Sequence, residues 1–497
     1  MQHHPEPVVI RTAQGAVRGL RRGGTAAFLN IPYAAPPRGA GRFAPPRPHA
    51  PWDGVRDATV PGPSAPQSAR GLGSVDLSPY FGPGWSRGED YLTVNVWAPA
   101  AGGGGLPVMV FVHGGGFVAG SARSALLDGS AFARDGVVLV TVQYRLGIAG
   151  FLDLPGAPAN RGLLDVVAAL RWVRENVPAF GGDPGNVTLF GQSAGATVVG
   201  GVLATPGAAG LFRRAVVQSG SGLGAFTPEQ AARVTAAAAA ALGVKAHADA
   251  FADIPDDRLV EAASGLAGID LRTRTRHDPL LGLTPFSLVL DTQPAASVAR
   301  GAGADVDLLL GTNAEEGNLY LVPVGTYTTS TAADVDDVAA RSHPEPRRLV
   351  EAYRTSRPEA SFAELRAAVM GDALFGAGTR ALADAHATHP RSATYAYEFA
   401  WRSPALGGDL GAAHAVELPF VFDLAHLPAL RGPAALLGPE EPPADLAGRM
   451  HGAWIRFAAT GAPGWDPYDT RRRATMRIDT TWTQVDDPRG RERRAWD

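Results

Sequence analysis

The first half of the sequence repeats short apolar runs that do not alternate with polar residues. Residues 107–112, 137–142 and 187–190 form three such strand-sized runs. Continuous apolarity of this length predicts strands that are covered on both faces, as in a parallel sheet. Between the last two runs, residues 163–177 carry apolar side chains at three- and four-residue spacing, which is typical of a helix with one buried stripe. Strand, helix and strand in repetition predict an α/β fold.

The rest of the chain adds helices and loops to this pattern. Residues 227–243 begin with Thr-Pro-Glu-Gln, which reads as an N-cap, a first-turn proline and a capping-box glutamine, and they end in glycine. Two segments that are rich in Pro and Gly, 61–88 and 432–443, predict long surface loops. No linker separates two self-contained patterns, so residues 1–497 are expected to form a single domain with insertions.

Charge and composition exclude several kinds of function. With 45 basic and 48 acidic residues the net charge is -3, so no electrostatic attraction to nucleic acid or to an anionic membrane is expected. No cysteine is present, which excludes disulfides, thiolate nucleophiles and Cys-ligated metal sites. The first residues are polar, and no apolar run reaches the roughly 18–20 residues of a membrane helix. A soluble, cytoplasmic protein is therefore expected.

Residues 191–195 read Gly-Gln-Ser-Ala-Gly and fit the Gly-x-Ser-x-Gly pattern of a nucleophile elbow. In such an elbow the serine occupies a strained turn between a strand and a helix, where side chains two residues away on either side would collide. The context agrees, because the apolar run 187–190 precedes the pattern and a predicted helix over 194–204 follows it. Ser193 is therefore predicted to be a nucleophile, and the alternative is a glycine-rich loop with an incidental serine.

A serine that attacks an acyl carbon needs backbone N–H groups directed at the oxygen that becomes negative. The first donor is Ala194, which directly follows the serine. Further donors are expected from residues 113–117, His-Gly-Gly-Gly-Phe, which end the apolar run 107–112. A plain turn is the alternative, and a phosphate-binding loop is rejected because no Gly-Lys-Ser/Thr follows. His113 is interpreted as shaping this loop rather than as a base.

Beyond these motifs, the sequence resembles the type-B carboxylesterase family, which includes bacterial para-nitrobenzyl-type esterases and the cholinesterases. The resemblance runs nearly end to end and follows the family's order of segments, which here are residues 28–34, 89–96, 143–145, 160–165, 180–184 and 454–461. It implies the α/β-hydrolase fold, with a large, mostly parallel central sheet, helices on both faces and helical insertions.

The resemblance also implies the two partners of Ser193. The family's acid is a glutamate in a Gly-x-Asn-x-x-Glu-Gly loop, which here makes Glu316 the candidate and Glu315 the alternative. The family's histidine precedes a Glu-Leu-Pro-Phe sequence, which here makes His414 the candidate and His426 the nearest rival. Serine, glutamate and histidine then follow one another in the order of nucleophile, acid and base that α/β-hydrolases use.

The activity that the resemblance implies is that of a serine carboxylesterase, which hydrolyses neutral esters through a Ser-His-Glu triad and an acyl-enzyme. The oxyanion would be held by the N–H groups of Gly115, Gly116 and Ala194. No metal or organic cofactor is needed, the partner is a small-molecule ester, and a monomer or weak homo-oligomer is expected. An amidase, lactonase or carbamate hydrolase is the alternative. A non-catalytic binding protein on the same fold usually lacks a triad residue, and this sequence has all three.

Two buried ion pairs are implied in the same way, Arg42 with Glu89 and Arg145 with Asp165, and both are interpreted as structural. Ser219 resembles a family serine close to the site, and a hydroxyl that caps a strand end is the alternative interpretation.

Two positions depart from the family pattern. Tyr91 stands where the signature has a cysteine, so the disulfide-closed loop of eukaryotic members cannot form and the segment 61–88 is expected to be more mobile. Gln192 stands where cholinesterases carry a glutamate. The missing carboxylate argues against a cationic choline ester and for a neutral ester as substrate.

Overall fold

The computed structural model describes residues 4–69, 71–100 and 102–497. The first three residues of the polar N-terminal segment, and Arg70 in the predicted loop 61–88, lie outside the described residues. Within the described residues, thirteen strands form one sheet. They are β1 (Glu6–Arg11), β2 (Ala16–Arg22), β3 (Thr25–Pro32), β4 (Val55–Asp57), β5 (Thr93–Pro99), β6 (Leu106–Val112), β7 (Val138–Val142), β8 (Gly182–Gln192), β9 (Arg214–Gln218), β10 (Asp307–Asn313), β11 (Thr394–Phe399), β12 (Ala474–Ile478) and β13 (Thr483–Asp486).

Helices of very different length connect the strands. They are α1 (Ser78–Phe81), α2 (Ser130–Arg134), α3 (Gly147–Phe151), α4 (Arg161–Asn176), α5 (Ala194–Leu203), α6 (Pro228–Leu242), α7 (Ala248–Ala252), α8 (Asp256–Gly265), α9 (Pro294–Ala299), α10 (Asn318–Leu321), α11 (Ala332–Ser342), α12 (Pro346–Ser356), α13 (Phe362–Gly371), α14 (Ala377–His386), α15 (Leu418–Val421), α16 (Leu446–Thr460) and α17 (Gly490–Ala495). A π-helical turn, Asp372–Gly376, joins α13 to α14. In the described parts of the chain, none of the helices has the length and apolarity needed to cross a membrane.

The centre of the sheet is parallel, as the apolar runs predict. The strands lie in the order β1-β2-β3-β5-β7-β6-β8-β9-β10-β11-β12-β13, with β4 beside β2. The seven strands from β7 to β12 in this order pair in parallel, and the strands outside them along this path pair antiparallel. The predicted runs 107–112, 137–142 and 187–190 coincide with β6, β7 and β8, which are the three strands at one end of the parallel part.

Helices cover both faces of this sheet. Successive side chains of a strand point to opposite faces, and along β6 they enter two different apolar cores. Val108, Val110 and Val112 pack in the core that contains residues of α4 and α5, whereas Met109 and Phe111 pack in the core that contains residues of α16. The α/β-hydrolase architecture with a mostly parallel sheet is therefore confirmed.

The helix predicted over 227–243 is also confirmed. Thr227 accepts a hydrogen bond from the Gln230 N–H, and the Gln230 side chain accepts one from the Thr227 N–H, which closes a capping box at the start of α6. Gly243 ends the helix with a φ of 68°.

The two segments predicted as surface loops are mostly irregular and reach the surface, as predicted, but both also bury apolar side chains. Segment 61–88 forms α1 and buries Leu77 and Tyr80, because these apolar side chains complete a core under the loop. Segment 432–443 buries Leu436 and Leu437 in the same core. Pro and Gly signalled irregular backbone correctly, but irregular backbone is not the same as exposure.

Of the two implied ion pairs, one is confirmed and one is wrong. Arg145 and Asp165 form a fully buried pair with an Nη2–Oδ1 distance of 2.7 Å. Arg42 instead pairs with Asp256 at 3.2 Å, because the start of α8 brings that carboxylate to it. Glu89 is exposed and pairs with Arg38.

Candidate active site

Ser193 lies at the point where β8 ends and α5 begins. Its φ of 57° and ψ of -127° are unusual for a residue with a side chain, and such strain is common where a serine has to be lifted above a sheet. The two glycines around it are required by space. A Cβ on Gly195 would lie 2.1 Å from the Val112 carbonyl oxygen, and one on Gly191 would lie 2.8 Å from the backbone of Gly195.

We expect Gly195→Ala to destabilise the protein by roughly 1–3 kcal/mol, because the new methyl group would overlap a backbone oxygen that cannot move aside. Urea unfolding measures this change. Gly200→Ala is the matched control in the same helix, since its Cβ would meet nothing closer than Leu382 at 3.9 Å. It should add up to about 1 kcal/mol through helix propensity. Equal stability of the two variants would contradict the close packing of Gly195 against the Val112 carbonyl oxygen.

Ser193, His414 and Glu316 form a continuous chain of hydrogen bonds. The Nε2 atom of His414 is 2.8 Å from Ser193 Oγ, and its Nδ1 atom is 2.5 Å from Glu316 Oε2. The side chains of His414 and Glu316 are 5% and 3% exposed. Glu316 follows β10 and His414 lies before α15, so sheet topology brings together three residues that are far apart in sequence.

Two further donors hold the carboxylate of Glu316. Its Oε1 atom accepts a hydrogen bond of 2.5 Å from the Ser219 hydroxyl and one of 2.7 Å from the Asn313 N–H. Ser219 follows β9 with a φ of 51°. Its hydroxyl faces the loop after β10, which carries Glu316. Of the two interpretations of Ser219, the structure shows the one close to the site.

The rivals lie in other surroundings. Glu315 pairs with Arg402 and accepts a hydrogen bond of 2.8 Å from the Ala412 N–H. His426 is exposed. Neither occupies the place next to Ser193 that His414 and Glu316 fill.

An aromatic ring that sequence reasoning missed covers one face of His414. Phe375 stacks on the imidazole with a centroid distance of 4.3 Å and an angle of 8° between the planes. It belongs to the π-helical turn, a rare element that often marks functional sites. Asp372 in the same turn is buried, binds Arg380 at 2.8 Å and also binds the Tyr353 hydroxyl.

The Asp372 contacts extend to the end of the chain. The Trp496 indole N–H donates to the Tyr353 hydroxyl at 2.9 Å, and that hydroxyl in turn contacts Asp372. Burial raises the pKa of the Asp372 carboxyl, but Arg380 and Arg489 outweigh burial and lower this pKa to about 2. The turn that carries Phe375 is therefore fixed by a charged group at all ordinary pH values.

A second carboxylate, Glu417, is buried beside the hydrogen-bonded chain. Its Oε2 atom accepts a hydrogen bond of 2.7 Å from the Asn313 side-chain amide. Burial, followed by the charge of Glu316, raises the pKa of Glu417 to about 7. In the sequence, Glu417 stands out only as part of the Glu-Leu-Pro-Phe signature that follows His414. A carboxylate between apolar neighbours in Val-Glu-Leu-Pro-Phe was the signal that could have found it.

We expect Glu417→Gln to flatten the dependence of stability on pH. A carboxyl whose pKa rises from 4.5 to about 7 on folding holds a proton that the unfolded chain has already released, so stability falls as pH rises through this window. The wild-type protein should lose roughly 3 kcal/mol more than the variant between pH 4.5 and 8. Urea unfolding at both pH values measures the difference. Equal losses of stability in the wild-type protein and the variant would contradict the raised pKa of Glu417.

The glycine-rich loop after β6 lies directly against Ser193. A Cβ on Gly114 would lie 3.0 Å from Ser193 Cβ, and Gly115 and Gly116 have φ values of 115° and 62°. Side chains from other segments fix the loop from outside, and Gln67 is one of them. Gln67 exchanges hydrogen bonds of 2.9 and 3.0 Å with the N–H and carbonyl of Gly120.

His113 belongs to the support of this loop. Its Nδ1–H donates to the Gly114 carbonyl at 2.8 Å, and its ring stacks on Tyr144 with a centroid distance of 4.5 Å. Burial lowers the pKa of His113 to about 4, so the ring is neutral at ordinary pH. These contacts support the interpretation that His113 shapes the glycine-rich loop.

A cavity of about 290 Å³ opens above Ser193. The predicted site residues Ser193, Ala194, His414, Gly115 and Gly116 line it, and Gln192 lies there with its Nε2 atom 3.3 Å from His414 Nε2. Its other walls are mainly apolar and include Leu72, Leu77, Tyr80, Phe81, Phe111, Phe117, Leu126, Leu127, Leu280, Leu283, Leu319, Tyr320, Leu374, Phe375 and Leu418. Among the described residues of this lining, none is Asp or Glu.

A strained serine joined to a histidine and a buried glutamate, at the carboxyl ends of a parallel sheet covered by helices, defines a serine hydrolase of the α/β-hydrolase fold. The model of the Carboxylesterase family matches residues 6–496, and the chain belongs to that family. The protein is therefore a hydrolase that acts on carboxylic ester bonds.

Individual relatives agree over nearly the whole chain. The para-nitrobenzyl esterase of Bacillus subtilis is 35% identical over 98% of this chain and 97% of its own. The phenmedipham hydrolase of Pseudarthrobacter oxydans is 36% identical over 92% of this chain and 91% of its own. The crystal structure of a carboxylesterase from Geobacillus stearothermophilus superimposes with a TM-score of 0.85, at 35% identity, over 98% of this chain and 100% of that one.

Proposed function

We propose that this carboxylesterase hydrolyses neutral esters with Ser193 as nucleophile, His414 as general base and Glu316 as the acid that orients it. The observation that carries the proposal is the unbroken hydrogen-bonded chain from Ser193 Oγ to the Glu316 carboxylate. In that arrangement His414 accepts the serine proton as Oγ attacks the acyl carbon, and the buried carboxylate stabilises the charged ring that results.

The reaction then proceeds through an acyl-enzyme. His414 returns the proton to the leaving alcohol, and a water molecule, activated by the same ring, hydrolyses the acyl group. The oxyanion of each tetrahedral intermediate is received by the N–H groups of Ala194, Gly115 and Gly116. Their position is supported by the approach of the loop to Ser193 and by the start of α5, whose positive end faces the same point.

A fluorophosphonate probe tests the nucleophile directly, because it reacts covalently with an activated serine. We expect stoichiometric labelling, with the modified peptide mapping to Ser193. A chain that binds esters without turning them over would not be labelled, and that result would overturn the proposal.

The neutral-ester preference rests on the cavity. Its walls are mainly apolar, and Gln192 beside Ser193 carries no charge. A cationic substrate would lose its hydration there without gaining a carboxylate partner on the lining, which is costly. The relative from Bacillus subtilis is named for para-nitrobenzyl esters, whose para-nitrobenzyl group carries no net charge.

We expect 3,3-dimethylbutyl butyrate to be hydrolysed with a kcat/KM roughly tenfold or more above that of butyrylcholine, since the two esters have nearly the same shape and differ in charge. Measuring both substrates with one enzyme preparation makes each the control for the other. Equal or higher activity on the choline ester would contradict the assignment to neutral esters and leave ester hydrolysis itself intact.

A further inference from the structure

A second cavity, of about 190 Å³, lies beside the one above Ser193. We call it the outer cavity. Its walls come from the segment 66–68, from α3 and from α8. The apolar side chains that line it include Val118, Ile148, Leu259, Val260, Ala263 and Leu283.

Leu283 is the one described side chain that lines both cavities. Its neighbours divide between them: Thr284 faces the cavity above Ser193, and Pro285 faces the outer cavity. Phe117 and Val118 divide in the same way. Two chain segments, residues 117–118 and 283–285, therefore separate the two cavities, and we call them the partition. Leu283 is the side chain that lies between the cavities.

The backbone of this partition is fixed. The Thr284 hydroxyl donates to the Gly116 carbonyl at 2.6 Å, which ties one segment to the other. The Leu283 side chain is only half-buried, so it is the part of the partition that can change its rotamer most easily.

Resting on the proposed ester hydrolysis, we propose that the outer cavity is a second substrate subsite, which takes the distal part of a long apolar acyl chain, and that Leu283 limits access to it. Sites for drug-sized ligands have volumes of roughly 300–1,000 Å³. The cavity above Ser193 alone does not reach this range, whereas the two cavities together lie within it. On this proposal short acyl chains occupy only the cavity above Ser193, and longer chains also enter the space behind Leu283.

The polar groups of the outer cavity explain why its occupant is apolar. The Gln67 amide is engaged by the backbone of Gly120, and Asp256 is paired with Arg42 at 3.2 Å. An ionic end group would have to break these contacts. A methylene that leaves water contributes a factor of about four instead, so an alkyl chain gains from each carbon that enters.

The test compares p-nitrophenyl esters from acetate to dodecanoate. In Leu283→Ala the ratio of kcat/KM for dodecanoate to that for acetate should rise roughly tenfold or more, which corresponds to two or more newly buried methylenes. Leu280→Ala is the matched control, because Leu280 lines only the cavity above Ser193. It should change long and short esters by similar factors.

A second pair of variants asks whether the outer cavity itself holds the chain. Ala263 lines the outer cavity from α8 and does not line the cavity above Ser193, so Ala263→Phe fills the outer cavity and should lower the dodecanoate-to-acetate ratio in the wild-type background. In the double variant Leu283→Ala/Ala263→Phe the gain from Leu283→Ala should disappear. Val260→Phe replaces Ala263→Phe if the latter does not fold as judged by circular dichroism.

The results separate this inference from the proposed function. A chain-length profile that Leu283→Ala leaves unchanged, or a gain that Ala263→Phe does not remove, would overturn the second subsite while acetate hydrolysis continues. Loss of the proposed function would instead show as no turnover of acetate by the wild-type enzyme and no labelling of Ser193.

Discussion

Ser193→Ala is expected to lower kcat for p-nitrophenyl acetate by roughly a millionfold while the fold survives. The variant keeps the loop and helix N–H groups that we propose to bind the oxyanion, but His414 then has no hydroxyl to deprotonate 2.8 Å away. Steady-state kinetics with p-nitrophenyl acetate, together with circular dichroism and thermal unfolding, measure the effect.

Ser219→Ala is the matched control, because it removes another buried hydroxyl of the same site. That hydroxyl donates to Glu316, whereas the Ser193 hydroxyl contacts His414, so the loss should be about 10- to 100-fold, the range of one hydrogen bond to a charged group. Full activity of Ser193→Ala, or equal losses in the two variants, would rule out Ser193 as the nucleophile.

The second large effect concerns stability. Asp165→Asn should lower the free energy of unfolding by about 3–5 kcal/mol, because it leaves the guanidinium of Arg145 buried without its counter-charge. Both side chains are 0% exposed. The remaining guanidinium contacts are the carbonyl oxygens of Arg42 and Ala44, at 3.0 and 2.7 Å, and they do not replace a full negative charge. Urea unfolding at neutral pH measures the loss.

Asp257→Asn is the corresponding surface control. Asp257 pairs with Arg87 with similar geometry, but the two side chains are 62% and 66% exposed. Water already solvates both ions there, so the unfolding midpoint should not change measurably. If the buried and the exposed variants lost the same stability, burial would not be the reason for the effect.

Local patterns predicted the parts of the fold that local physics decides. The continuous apolar runs predicted the parallel centre of the sheet, and the Thr227 capping box predicted the start of α6. The glycines at 191 and 195 predicted the turn that holds Ser193, because space around it admits no side chain. These features depend on residues that are neighbours in sequence.

Contacts between distant segments were not predictable in the same way. Arg42 meets Asp256 only because α8 returns to it across more than two hundred residues, so the family pattern gave it the wrong partner. Phe375 reaches His414 through a π-helical turn, which has no reliable sequence signal. Glu417 belongs to a sequence motif, but its burial next to Glu316 could be recognised only from the tertiary structure.

For the site, motif resemblance selected His414 and Glu316, which the structure places next to Ser193, and the rivals Glu315 and His426 lie elsewhere. The roles of these residues in the reaction stay predictions until the variants are measured. The single domain over 1–497, the cytoplasmic location, the monomer or weak homo-oligomer and the mobility of segment 61–88 also stay predictions.

The connection from Trp496 through Tyr353 to Asp372 has a practical consequence. It makes Trp496 part of the scaffold behind Phe375 and His414, although Trp496 is far from both residues in sequence. A substitution at Trp496 is consequently expected to disturb the support of Phe375 and His414, and so to affect activity as well as stability.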